Sequence, residues 1–217
     1  MTPKALSAPS IPAAESDGLI KLCDLTQDIL VAFEAWGHSD EADVFQLIVN
    51  GVAVGPMQPV PIPLPAPGTI LTLNLPKEEL GSEGCYEVAY LVTNMLGGVS
   101  ALSPSTFIHI DRTQPGATLL APLIFPTATL SDQLTGLLPG YAGMQPGDVV
   151  QTMINASNGP THTVVAEELT LSPIEIVFTR EHLQGHAPGI VSIEYAVTDR
   201  AGNTSITSLP TLVSVQL

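Results

Sequence analysis

Apolar and polar residues alternate with a period of two along the most regular stretches of the chain. Tyr86, Val88, Tyr90 and Val92 are interleaved with Glu87, Ala89 and Leu91, and Val191, Ile193, Tyr195 and Val197 with Ser192, Glu194 and Ala196. Successive side chains of a strand point to opposite faces, so each stretch predicts a strand with one face buried. Further strands are predicted at Ile29–Trp36, Asp43–Val49, Thr69–Leu75 and Val99–Ile110. Asn50-Gly51 predicts a two-residue hairpin turn, because both positions accept a positive φ. Leu80, followed six residues later by Tyr86, marks the place of a tyrosine corner. Turn signals recur every ~8–12 residues without a sustained helical period, which predicts an all-β sandwich.

The pattern occurs twice. Shifted by 105 residues, Asp43-Val44-Phe45-Gln46 falls on Asp148-Val149-Val150-Gln151 and Asn50 on Asn155. Tyr90-Leu91-Val92-Thr93-Asn94 falls on Tyr195-Ala196-Val197-Thr198-Asp199, Gly97 on Gly202, Ser100 on Ser205, Ser103 on Ser208, Thr106 on Thr211, and Trp36 on Tyr141. The 217 residues are therefore one module used twice. The expected organisation is a Pro/Ala/Ser-rich arm or linker over 1–16 and two sandwiches over 17–112 and 113–217. A period of this size is that of one immunoglobulin-type domain.

Composition narrows the partners. With 21 acidic and 6 basic residues the formal charge is −15, which disfavours nucleic acid and anionic membrane surfaces. The uncharged stretches Val44–Pro76 and Thr113–Ser131 hold seven and three prolines, too many for a membrane helix. The opening Met1-Thr-Pro-Lys-Ala-Leu-Ser-Ala-Pro-Ser10 lacks the apolar run of a secretory signal. Cys23 and Cys85 form no CxxC pair, so zinc and thioredoxin-like readings lack support.

Tyr141-Ala-Gly-Met-Gln-Pro-Gly-Asp148-Val-Val, with Tyr195-Ala-Val-Thr-Asp-Arg-Ala-Gly-Asn203-Thr-Ser, resembles the bacterial Ig-like repeats strung along large surface and secreted proteins, often adhesins. Ile110-Asp-Arg-Thr-Gln-Pro-Gly116 resembles the linkers between such repeats. The first copy departs from the pattern, with Asn94-Met-Leu-Gly-Gly98 in place of Asp-x-x-Gly-Asn. The resemblance implies tandem Ig-like or fibronectin III-like sandwiches in a non-enzymatic spacer or adhesive module, extracellular or at the bacterial surface. Its partners would be neighbouring Ig-like domains, other proteins or surface glycans. A carbohydrate- or protein-binding module and a subunit of a filament, phage particle or other assembly are the alternatives. The sandwich order implied by the resemblance puts Cys23 and Cys85 at one pole, making them a candidate disulfide; two buried thiols are the alternative. Such a bridge would close a loop worth on the order of 4 kcal/mol and would indicate an oxidising compartment.

Candidate chemistry is sparse. No catalytic residue and no cofactor is indicated. Asp40, Asp43 and Asp111 are candidate calcium ligands, although their spacing lacks an EF-hand pattern, and solvated acidic turns are the simpler reading. His182 and His186, four apart, would share a helix face, but Gly185 and Pro188 predict a loop. No Gly-x-Ser-x-Gly or phosphate-cradling glycine loop occurs, and the pairs Glu78-Glu79 and Glu167-Glu168 would point apart on a strand or turn. Between Pro59 and Pro67 every second residue is proline, which removes alternate ladder donors and predicts an aggregation-blocking edge. The interleaved Val60, Ile62, Leu64 and Ala66 form a candidate interaction strip.

Overall fold

A computed structural model describes residues 5–126, 133–170, 173–186 and 189–215. The chain divides into two compact units, Met1–Arg112 and Thr113–Leu217.

In the first unit the strands are β1 (Leu19–Ile20), β2 (Ile29–Glu34), β3 (Asp43–Val49), β4 (Val52–Pro59), β5 (Ile70–Leu75), β6 (Gly84–Asn94), β7 (Val99–Leu102) and β8 (Thr106–Ile110). One sheet runs β1-β8-β6-β3-β4, with β7 also on β6; the other pairs β2 with β5. Tyr86, Val88, Tyr90 and Val92 of β6 point into the core, as their alternation demands. There they meet Val31, Phe33, Leu73 and Leu75 from the second sheet. Phe33 stacks on Tyr90 at 4.0 Å between ring centroids. The tyrosine corner is present: the Tyr86 hydroxyl donates to the Ser82 carbonyl at 2.7 Å, over a fully buried Leu80.

The second unit repeats the plan with β9 (Gln133–Leu138), β10 (Val149–Ile154), β11 (Ser157–Thr163), β12 (Ile174–Thr179), β13 (Gly189–Thr198) and β14 (Thr211–Val215). Its sheets are β11-β10-β13-β14 and β9-β12. Val191, Ile193, Tyr195 and Val197 face a core completed by Leu134, Leu138, Ile176 and Phe178. Both units are β-sandwiches, so the fold is all-β.

Three expectations are corrected at the level of elements. The single strand expected over Val99–Ile110 is two, β7 and β8, broken at Ser103-Pro104-Ser105, where Ser103 turns inward and is buried. The His182 segment is not a loop: α1 spans Arg180–Leu183, and a tighter helical turn, Gln184–His186, follows it. Its first turn is fixed by the Thr179 N–H, which donates to His182 Nδ1 at 3.1 Å.

The third correction concerns the arm. Residues 1–4 lie outside the described residues; residues 5–16 lie on the first sandwich. Ser10 bridges Ala32 of β2 in antiparallel fashion, and Ile11 is buried in the core. The second unit has the same bridge between Ile124 and Leu137. The corresponding residues are 114 apart here rather than 105, because the first copy carries nine more residues between this edge segment and β2. That extra stretch holds β1, which pairs in parallel with β8 through Leu19↔His109 and Ile20↔Ile110.

Candidate functional site

The residues that recur at 105-residue spacing converge on one framework in each unit, and their polar atoms point inward to the chain itself. Asn50 has φ 49 at the β3–β4 turn; its N–H donates to the Glu87 carbonyl at 2.8 Å and its Oδ1 accepts from the Glu87 N–H at 2.8 Å. Asn155, with φ 47, makes the same two bonds with Ser192 at 2.9 Å each. Ser103 Oγ accepts from the Tyr90 N–H at 3.0 Å, and Ser208 Oγ from the Tyr195 N–H at 3.0 Å. Thr106 Oγ1 donates to the Pro9 carbonyl, and Thr211 Oγ1 to that of Leu123 at 2.7 Å. Buried backbone groups need partners, and these side chains supply them where the ladders stop.

The buried carboxylates belong to the same framework. Asp43 Oδ2 accepts from Trp36 Nε1 at 3.3 Å and from the Asp40 N–H at 3.0 Å, and its Oδ1 accepts from Asn94 Nδ2 at 2.9 Å. Asp148 Oδ2 accepts from the Tyr141 hydroxyl at 2.8 Å and from the Gln145 N–H at 3.0 Å, while its Oδ1 has no hydrogen-bond partner. Both Asp residues are fully buried. Burial pushes the Asp148 carboxyl above the ordinary carboxylate range, against bonds from Gln145 and Tyr141 that favour its charged form. Burial, then the bond to Asp148, also raises Tyr141 well above the usual phenol value.

Against this framework the sequence candidates fare unequally. Of the calcium candidates, Asp43 is an internal acceptor, Asp40 Oδ1 accepts from the Ala42 N–H at 2.9 Å, and Asp111 is likewise engaged. Among the described residues no group of three or more His, Cys, Asp or Glu side chains converges as a metal site. Cys23 and Cys85 are free and exposed, neither bridged nor buried. Cys85, on β6 opposite His109, points outward because its neighbour Tyr86 points in, and Cys23 lies beyond the end of β1.

The interaction strip is also corrected. Val60 is a core residue: its N–H donates to the Asp43 carbonyl at 3.1 Å, and its side chain is buried. Val164 repeats this with the Asp148 carbonyl at 2.9 Å. Ile62, Leu64 and Ala66 are exposed, Ile62 most at 74%. Glu168 Oε2 accepts from the Val165 N–H at 2.9 Å and meets His162 Nε2 at 2.9 Å. Trp36, Tyr86, Tyr90 and Tyr195 are buried, so none presents a face on which a sugar could stack.

Sequence reasoning found the repeated residues but missed the edge segment around Ser10 and the internal role of Asp148. The matching Thr106–Pro9 and Thr211–Leu123 bonds carry the signal for the former, legible only once the shift from 105 to 114 is allowed.

No protein-family model matches the chain, and no curated protein matches it. Among solved structures it is similar to one determined for a 1.5-MDa bacterial ice-binding adhesin, in work on its retention at the host cell surface. The TM-score is 0.51 at 16% identity, over 100% of this chain and 66% of the other. It also matches fibronectin(III)-like modules of Clostridium thermocellum CbhA at TM-score 0.45 and 11% identity, over 97% of this chain and 93% of the other. The chain thus spans 66% of the adhesin structure's length. At 16% identity the adhesin likeness is one of fold. Among the described residues no helix is long and apolar enough to cross a membrane.

Proposed function

We propose that the chain is a non-enzymatic spacer or adhesive module, a pair of Ig-like sandwiches from a bacterial cell-surface or secreted protein. The observation that carries this reading is the use of the repeated polar residues. Asp43, Asn50, Ser103 and Thr106, with their counterparts Asp148, Asn155, Ser208 and Thr211, all serve the backbone of their own sandwich. A repeat selected for shape keeps such residues, whereas a repeat selected for chemistry would direct some of them to a shared cleft. The adhesin likeness supports the same reading through its fold. Partners would be neighbouring sandwiches or another protein, met through loops and exposed residues such as Ile62 and Leu64. No cofactor is invoked.

Fractionation of cells of the source organism, probed with antibody raised against the chain, tests the proposal. Signal in the surface or secreted fraction is expected. Signal confined to the cytosol would overturn it.

A further inference from the structure

The two sandwiches differ at one half-buried position, 94 in the first and 199 in the second, that bears on a buried carboxylate. In the first, the Asn94 amide does two things. Its Oδ1 accepts from the Gly97 N–H at 2.7 Å, and its Nδ2 donates to Asp43 Oδ1 at 2.9 Å, completing that carboxylate. In the second, residue 199 is Asp. Its Oδ1 still accepts from the equivalent Gly202 N–H at 2.8 Å, and also from the Asn203 N–H at 2.8 Å. Its Oδ2 accepts from Asn203 Nδ2 at 2.9 Å. Having no hydrogen to give, an ionised Asp199 cannot do for Asp148 what Asn94 does for Asp43. Asp148 Oδ1 is left buried and unpartnered.

We propose that Asp148 is a proton-accepting carboxyl that tightens the second sandwich in acid, a pH-sensitive device set up by Asp199 in the place that Asn94 takes in the first.

The groups that face Asp148 come from two segments. Tyr141 and Gln145, before β10, both donate to Oδ2 and neither supplies the missing bond. Asp199 and Arg200, after β13, act on it with opposite signs: Asp199 opposes its ionisation and Arg200 favours it. The aliphatic part of Arg200 lies where a Cβ on Gly147 would come, 2.7 Å from its Cγ, so the arginine covers the approach to Asp148. Desolvation remains the largest effect and disfavours charge. Protonation of Asp148 removes the repulsion from Asp199 and the cost of burying a charge beside an unpartnered oxygen.

The sign follows from linkage. Because the folded-state value of Asp148 lies above its ordinary 3.8, its favourable contribution is complete below that value and is lost as pH rises through the folded one. Glu168 runs the other way. Its folded value lies below the ordinary 4.5, because the Val165 N–H and His162 outweigh its desolvation, so its contribution is lost as pH falls.

Carbon-13 NMR of the Asp148 Cγ in the full chain, titrated from pH 7 to pH 3, tests the proposal directly. The expected midpoint lies above 3.8. Asp199→Asn restores the arrangement of Asn94 and is expected to lower that midpoint by about one unit, through loss of a like charge and gain of a donor. Melting followed on β10 and β13 amides should rise from pH 6 to pH 4 in the wild type, and Asp148→Asn should abolish that rise while leaving the first sandwich unchanged. An Asp148 midpoint at or below 3.8, or one unmoved by Asp199→Asn, would overturn the proposal. Neither result bears on whether the chain is a surface spacer.

Discussion

Tyr90 and Tyr195 occupy the same place in the two cores, both fully buried, but their hydroxyls have different partners. Tyr195 donates to the Ala121 carbonyl at 2.8 Å, whereas the Tyr90 hydroxyl faces Ser7, which offsets part of its desolvation. Burial raises both, Tyr195 to about 12. Removing a well-bonded buried hydroxyl costs about 1 kcal/mol, and removing a more weakly held one costs less. Tyr195→Phe is therefore expected to destabilise the second sandwich by about 1 kcal/mol, and Tyr90→Phe to destabilise the first by less; urea denaturation of each variant checks this. At this scale the sequence was informative about which residues matter and silent about why. The match of Asp43 with Asp148 was visible, but the unequal pairing of their Oδ1 atoms depends on Asn94 and Asp199, 51 residues along in each case.

Among the elements, β1 is the one whose presence hangs on a single residue. Gly18 has φ +90, and a Cβ there would lie 2.7 Å from the Phe107 carbonyl oxygen. This contact lets the Gly18 carbonyl accept from the His109 N–H at 2.9 Å and lets Leu19 and Ile20 seal the edge of β8. Gly18→Ala combines a left-handed backbone with that clash, and should destabilise the first sandwich by about 1–3 kcal/mol, leaving the second unaffected. Urea unfolding of the full chain, followed by NMR signals of each unit, measures both effects at once. Elements with a clean two-residue period were legible to within a residue or so, as with Asp43–Val49, which is β3 throughout. The edge segment around Ser10 was not, because prolines and small residues read as linker while its place in the sandwich is fixed by Ala32 and Thr106, distant in sequence. Val60 misled for a related reason. It sits in a run of alternating prolines, yet a backbone bond to Asp43 draws it out of that run and into the core.

For the whole molecule, the charge of −15 divides as −9 over residues 1–112 and −6 over 113–217, so each sandwich is acidic in its own right. Such a distribution favours solubility and disfavours polyanionic partners. What unites the molecule is that its repeated polar residues hold the chain together. Hydrogen exchange of the native full chain measures this most directly, at four amides held by side chains rather than by strand ladders alone: Glu87 and Ser192, bonded to Asn Oδ1, and Tyr90 and Tyr195, bonded to Ser Oγ. The account predicts slow exchange at all four, with each counterpart pair protected in parallel. Free exchange at these amides, or protection confined to one unit, would contradict it.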